Sequence, residues 1–135
     1  MLGIKAGIQA AGLRGGGIRP WAALNDVITL KGTAYAENTG DALGSVKVEL
    51  TMVKPDGTTL DLSFNVANVP AGGNATATKT GAVTLNAYGS WTGIAKALVL
   101  VAGVWVWKNE ANITINVPQP AGPVYTNVIA GVITV

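Results

Sequence analysis

Chemistry in this chain would have to be built from seven carboxylates, three serines and four tryptophans, because histidine and cysteine are both absent. The acids are Asp26, Glu37, Asp41, Glu49, Asp56, Asp61 and Glu110. Two carboxylates flanking a bond can serve as general acid and base. Here, however, Asp41 and Asp56 fall in turn-forming stretches, while Glu49 and Asp61 fall on the wet side of alternating strands, near Lys47. Asp41 and Asp56 with backbone carbonyls make a candidate calcium site, but one without the regular ligand spacing of an EF-hand. Ser45, Ser63 and Ser90 have no histidine to act as base and no lysine in a recognisable arrangement. Thiolate nucleophiles, disulfides and zinc sites built on Cys or His are excluded outright. The glycines of GLRGGGIRP follow no strand and are not followed by Lys-Ser or Lys-Thr, so they do not form a phosphate loop. The expectation is a protein that is not an enzyme, with no cofactor and no metal.

Aromatic residues are the other candidates. Trp105 and Trp107 are two apart, so in a strand both point to one face. That face is either core or subunit interface, or, if it meets water with Trp91 and Tyr88 nearby, a platform on which a sugar stacks. Trp91, Trp105, Trp107 and Tyr125 are therefore the candidate interface residues. Asn74-Ala-Thr76 and Asn112-Ile-Thr114 match the glycosylation tripeptide, which a Thr-rich chain also produces by chance.

The elements that must position these residues read almost entirely as period two. A strand runs from Ile28 to about Ala36 and ends in the turn Glu37–Asp41. Val46, Val48, Leu50 and Met52 alternate with Lys47, Glu49 and Thr51, which predicts a half-buried strand. Lys54-Pro55-Asp56-Gly57 has turn chemistry, Pro setting φ and Gly accepting a positive one. Leu60, Leu62, Phe64 and Val66 then alternate with Asp61, Ser63 and Asn65, completing a hairpin. After the loop Val69–Gly73, Ala75 and Ala77 suggest a thin edge strand, and Val83 and Leu85 a second short one. Gly93 to Trp107 is apolar on both faces and reads as one doubly buried strand bent at Gly103. Ile113, Ile115 and Val117 mark a further half-buried strand. Pro118, Pro120 and Pro123 form a stiff connector to the β-branched segment Val124–Val135. Without a guarding charge, that segment must pair in its own sheet or with a neighbouring subunit.

Residues 1–20 stand apart. They contain Lys5, Arg14 and Arg19, no acid and six glycines, whereas the rest of the chain sums to −1. Each glycine would cost a helix about 1 kcal/mol. A flexible basic arm is expected, with Lys5, Arg14, Arg19 and the anchor Trp21 contacting neighbours. Gly, Gln and Arg break every apolar run there, so no standard export signal is expected. The most apolar later stretch is 11 residues, Ala97 to Trp107, well short of the roughly 20 that span a bilayer. The near-neutral body has no basic face for nucleic acid. Charged residues make up only 12% of the chain, about half the usual share. Such a surface suits a protein covered by neighbours.

Residues 26–117 resemble an immunoglobulin-like sandwich of the CARDB kind, a relative of fibronectin type III modules. The likeness rests on AENTGDA after the first strand, VKPDGTTL at the hairpin, VPAGGNATAT before a later strand and GIAKALVLV near the end. It covers about two thirds of the chain, carries over no catalytic residue, and implies a role in surfaces, adhesion or particle assembly. Similar sandwiches with added arms occur as virion decoration proteins and as subunits of prokaryotic surface filaments. The expected organisation is an arm at 1–20, an immunoglobulin-like antiparallel β-sandwich of seven or eight strands at 21–117, and a Pro-rich connector with a C-terminal strand at 118–135. The expected function is a non-enzymatic structural subunit of a virion (decoration, capsid or tail), homo-oligomeric or bound to a scaffold protein, with no specific nucleic acid and no membrane span. The alternatives are a surface-filament subunit or a monomeric module that recognises glycan or protein.

Overall fold

The computed structural model describes residues 3–14 and 21–120. They form seven strands: β1 (Lys5–Ala11), β2 (Val27–Glu37), β3 (Gly44–Val53), β4 (Thr59–Val69), β5 (Asn74–Thr84), β6 (Gly89–Val101) and β7 (Val104–Val117). No helix occurs among the described residues. The seven strands pair antiparallel throughout, in a three-stranded sheet ordered β1-β2-β5 and a four-stranded sheet ordered β4-β3-β6-β7. The protein is an all-β sandwich, as the alternation predicts.

Its core lies between the sheets. Ile28, Leu30, Ala34 and Ala36 of β2 face Val46, Val48, Leu50 and Met52 of β3, and Trp91, Ala95 and Ala97 of β6 lie beside them. Trp91 is fully buried and donates its indole N–H to the Ala87 carbonyl at 3.0 Å. Small residues let the sheets approach at the centre. A Cβ on Gly32 would sit 3.0 Å from the Ala95 Cβ and 3.1 Å from a Leu50 methyl.

Three expectations are corrected. First, Lys5–Ala11 is not a free arm: it pairs with β2 from Lys5↔Tyr35 to Ala11↔Thr29. Ile4, Ala6, Ile8 and Ala10 pack against the core on alternate positions. That period two marks a strand, and an edge strand tolerates Gly7 where a helix interior would not. Second, the apolar run Gly93–Trp107 is two strands. Ala102 and Gly103, at φ 51° and 80°, form a two-residue turn between β6 and β7, the primed type whose twist suits a hairpin. Third, the two short strands expected near Ala75 and Val83 are one, β5, paired with β2 over its whole length. Arg19, the expected C-terminal strand and Tyr125 lie outside the described residues.

Candidate interaction surface

The outward side of the four-stranded sheet is built row by row by its register. Val66 of β4 lies beside Lys47 of β3, then Leu98 of β6, then Trp107 of β7. The next row toward the β6–β7 turn brings Leu100 beside Trp105. On the other side a charged row follows: Phe64, Glu49, Lys96 and Glu110. One end of the face is thus aromatic and aliphatic, and the rest is charged and then Thr-rich.

Phe64 and Val66 reach this face through a register shift. Up to Leu62 the even-numbered residues of β4 face the second sheet, as Leu62 does against Gly81 of β5. Ser63 takes φ 75°, and the β3–β4 register shifts between Glu49 and Thr51. Beyond this bulge the odd residues turn inward. Asn65 donates from Nδ2 to the Thr78 carbonyl of β5 at 2.6 Å, and Ala67 and Val69 pack on the core. One extra residue flips every following side chain. The unbroken alternation expected from Leu60 to Val66 is therefore interrupted at Ser63.

Water meets much of this apolar end. Phe64 is 51% exposed, Val66 47%, Leu100 42% and Trp107 55%. At about 200 Å² per large side chain, these fractions leave roughly 400 Å² of apolar surface, comparable to the largest patches on monomers, which are often functional. Beneath it Lys47 is only 9% exposed. Its ammonium lies 5.1 Å from the Phe64 ring centroid, 4.8 Å from that of Trp105, and 3.2 Å from Glu49 Oε2. A cation over two ring faces is attracted by their quadrupoles. The Lys47 stem fills the space between the rings while Glu49 neutralises the charge, so the face holds no naked charge at its apolar end.

The other expected site residues are dispersed. Trp91 is core, not interface. Tyr88, before β6, lies at the far end of the sheet from Trp107. Lys5 is exposed on β1, and Arg14 and Trp21 are engaged within their own molecule. Arg14 grips Asp26 through Nε–Oδ2 at 2.7 Å and Nη2–Oδ1 at 2.9 Å, and its N–H donates to the Trp21 carbonyl. The Arg14 hydrogen bond, with one from the Ala23 amide, lowers the Asp26 pKa to about 2. Ala22 then donates to the Asn116 carbonyl of β7, closing one corner of the sandwich.

The carboxylates do not converge. Asp41 and Asp56 sit in turns at opposite ends of β3, about 30 Å apart at 3.3 Å per residue, so the candidate calcium site does not form. Asp56 accepts from Thr58, Glu37 from the Tyr35 hydroxyl, and Asp61 from the Ser63 amide. Among the described residues no three acids come together as a metal site. A cleft of about 270 Å³ at the same end of the sandwich, lined by Ile4, Ala36, Val69 and Val101 with Asn38 and Ser45, adjoins Leu100. Asn38 Nδ2 already donates to Ala42 and Val69 carbonyls there.

No protein-family model matches the chain, and no curated protein or solved structure matches it either.

Proposed function

We propose that the chain is a non-enzymatic structural assembly subunit that works by burying the outer face of its four-stranded sheet against another protein. The setting we propose is a virus particle, where the protein serves as a decoration, capsid or tail component. The carrying observation is the aromatic and aliphatic end of that face. A solvated sheet face ordinarily presents polar side chains, and Phe64, Val66, Leu100 and Trp107 together leave water in contact with apolar groups that a protein partner would cover. The chemistry available elsewhere supports the same reading, since there is neither Cys nor His and the carboxylates do not converge. The sparse charge and the resemblance to CARDB-type sandwiches agree with it, and a surface filament is the alternative setting. Lys5–Ala11 completes the protein's own sheet and is not the segment that reaches a neighbour.

One observation favours a second reading, a glycan-binding module: Trp105 and Trp107 share the outward face, and sugar rings stack on indoles. The test is a photo-reactive benzoylphenylalanine in place of Trp107, introduced in the producing cell and irradiated. A covalent adduct to a protein is expected. Absence of protein adducts, together with quenching of tryptophan fluorescence by an oligosaccharide, would replace the assembly reading with the glycan one.

A further inference from the structure

We infer that the partner on this face is a second copy of the chain, seated face to face about a two-fold axis. This rests on the reading of the face as an association surface and names what covers it.

Charge selects the occupant. The outward face carries Lys47 and Lys96 against Glu49, Asp61 and Glu110, so neither sign dominates. Nucleic acid or a strongly charged protein would find no complementary field there. A copy of the same surface does: Lys96 stands in its row between Glu49 and Glu110, and a small offset between two facing rows brings each copy's lysine against the other's acid. An isologous contact makes every such pair twice. At the apolar end, Lys47 already holds Glu49 at 3.2 Å and lies against two rings. A second apolar surface can therefore cover it without leaving an unpaired buried charge.

Area agrees. Two copies of the apolar end supply roughly 800 Å², and with interfaces about 60% apolar the whole contact comes to about 1,300 Å². That falls within the range of specific protein interfaces, about 1,200–2,000 Å². Trp107, the most exposed large aromatic of the patch, is the side-chain type enriched at the centre of such contacts.

The test is sedimentation velocity on the full chain from about 1 µM to about 500 µM, a span that brackets micromolar association. The wild type is expected to move from monomer to dimer. Trp107→Glu and Val66→Lys should each weaken dimerisation by at least about 30-fold, the scale of an interface hot spot. Thr76→Glu, exposed on the opposite sheet, should leave it unchanged. Circular dichroism of each variant reports that the fold survives, as expected for exposed positions. A wild type that stays monomeric throughout overturns self-pairing. A dimer that ignores both face variants but yields to Thr76→Glu overturns it too, placing the contact elsewhere. A protein adduct at position 107 with a monomeric wild type would overturn the second copy as occupant and leave the assembly reading standing. Loss of both signals would end both.

Discussion

Replacing Ile8 with alanine tests whether the N-terminal segment belongs to the fold. Ile8 lies on the inward side of β1, opposite Gly32 in the ladder, and its Cδ1 comes within 3.1 Å of where a Cβ on Gly93 would stand. Gly93 has no side chain with which to fill the space left behind, and Leu30 and Ile113 already touch the same spot. A fully buried Ile→Ala change costs about 2–5 kcal/mol, including the cavity term. Ile8 is only partly buried on an edge strand, which places the expected loss at the low end, about 2 kcal/mol. In urea, with a slope near 1.5 kcal/mol/M, that is a midpoint shift of about 1.3 M. Gln9→Ala is the control. Gln9 faces water on the next position of the same strand, and such substitutions usually stay within about 0.5 kcal/mol. If Ile8→Ala and Gln9→Ala unfold at the wild-type midpoint, β1 contributes nothing to stability and its place in the sheet is refuted.

Further outcomes concern Gly93 and the Arg14–Asp26 pair. Gly93→Ala forces a methyl within 3.0 Å of a Leu30 methyl and 3.1 Å of both Ile113 and Ile8, so it should destabilise by about 1–3 kcal/mol through overpacking. Because Ile8→Ala frees part of that space, the double variant should lose less than the two single losses combined, which denaturant midpoints of the four proteins will show. The Arg14–Asp26 pair sets an acid-side dependence. Asp26 titrates at about 2, below its ordinary 3.8, because the Arg14 hydrogen bond, foremost, holds the carboxylate. A depressed carboxyl stabilises the fold fully above about pH 4 and loses that contribution as pH falls toward 2. The Asp26 side-chain carbon should therefore titrate with a midpoint near 2 by NMR, and Asp26→Asn should flatten this part of the acid limb. A midpoint near 3.8 would mean that the pair does not persist in solution.

Period two made the body of this fold legible. The burial of β2 alternates at every residue, and β3 keeps Val46, Val48, Leu50 and Met52 inside as the spacing predicts. Trp105 and Trp107 share a face for the same reason. What could not be read was the phase of that alternation beyond a bulge. Leu60, Leu62, Phe64 and Val66 are all even-numbered and all apolar, and nothing in that pattern announces that Ser63 will take a positive φ. The one local signal is Asn65, a polar residue whose amide, although exposed, reaches the Thr78 carbonyl of β5. The N-terminal strand was hidden differently. Ile4, Ala6, Ile8 and Ala10 carry the strand period openly, but the glycines around them argue against regular structure by composition alone, and the partner that makes an edge strand worthwhile lies 18 (Ala11↔Thr29) to 30 (Lys5↔Tyr35) residues away. Local propensity cannot see such pairing.

The bulge also explains why the candidate surface exists. With the register unbroken, Phe64 and Val66 would stand on the side of β4 that carries Leu62, Asn65 would join the outer face, and that face would be as polar as an ordinary solvated strand. Placing the extra residue at Ser63 puts the Phe64 ring against the Lys47 ammonium on the outer face. The inward turn of Ala67 and Val69 and the apolar end of the outer face are thus two results of one local irregularity.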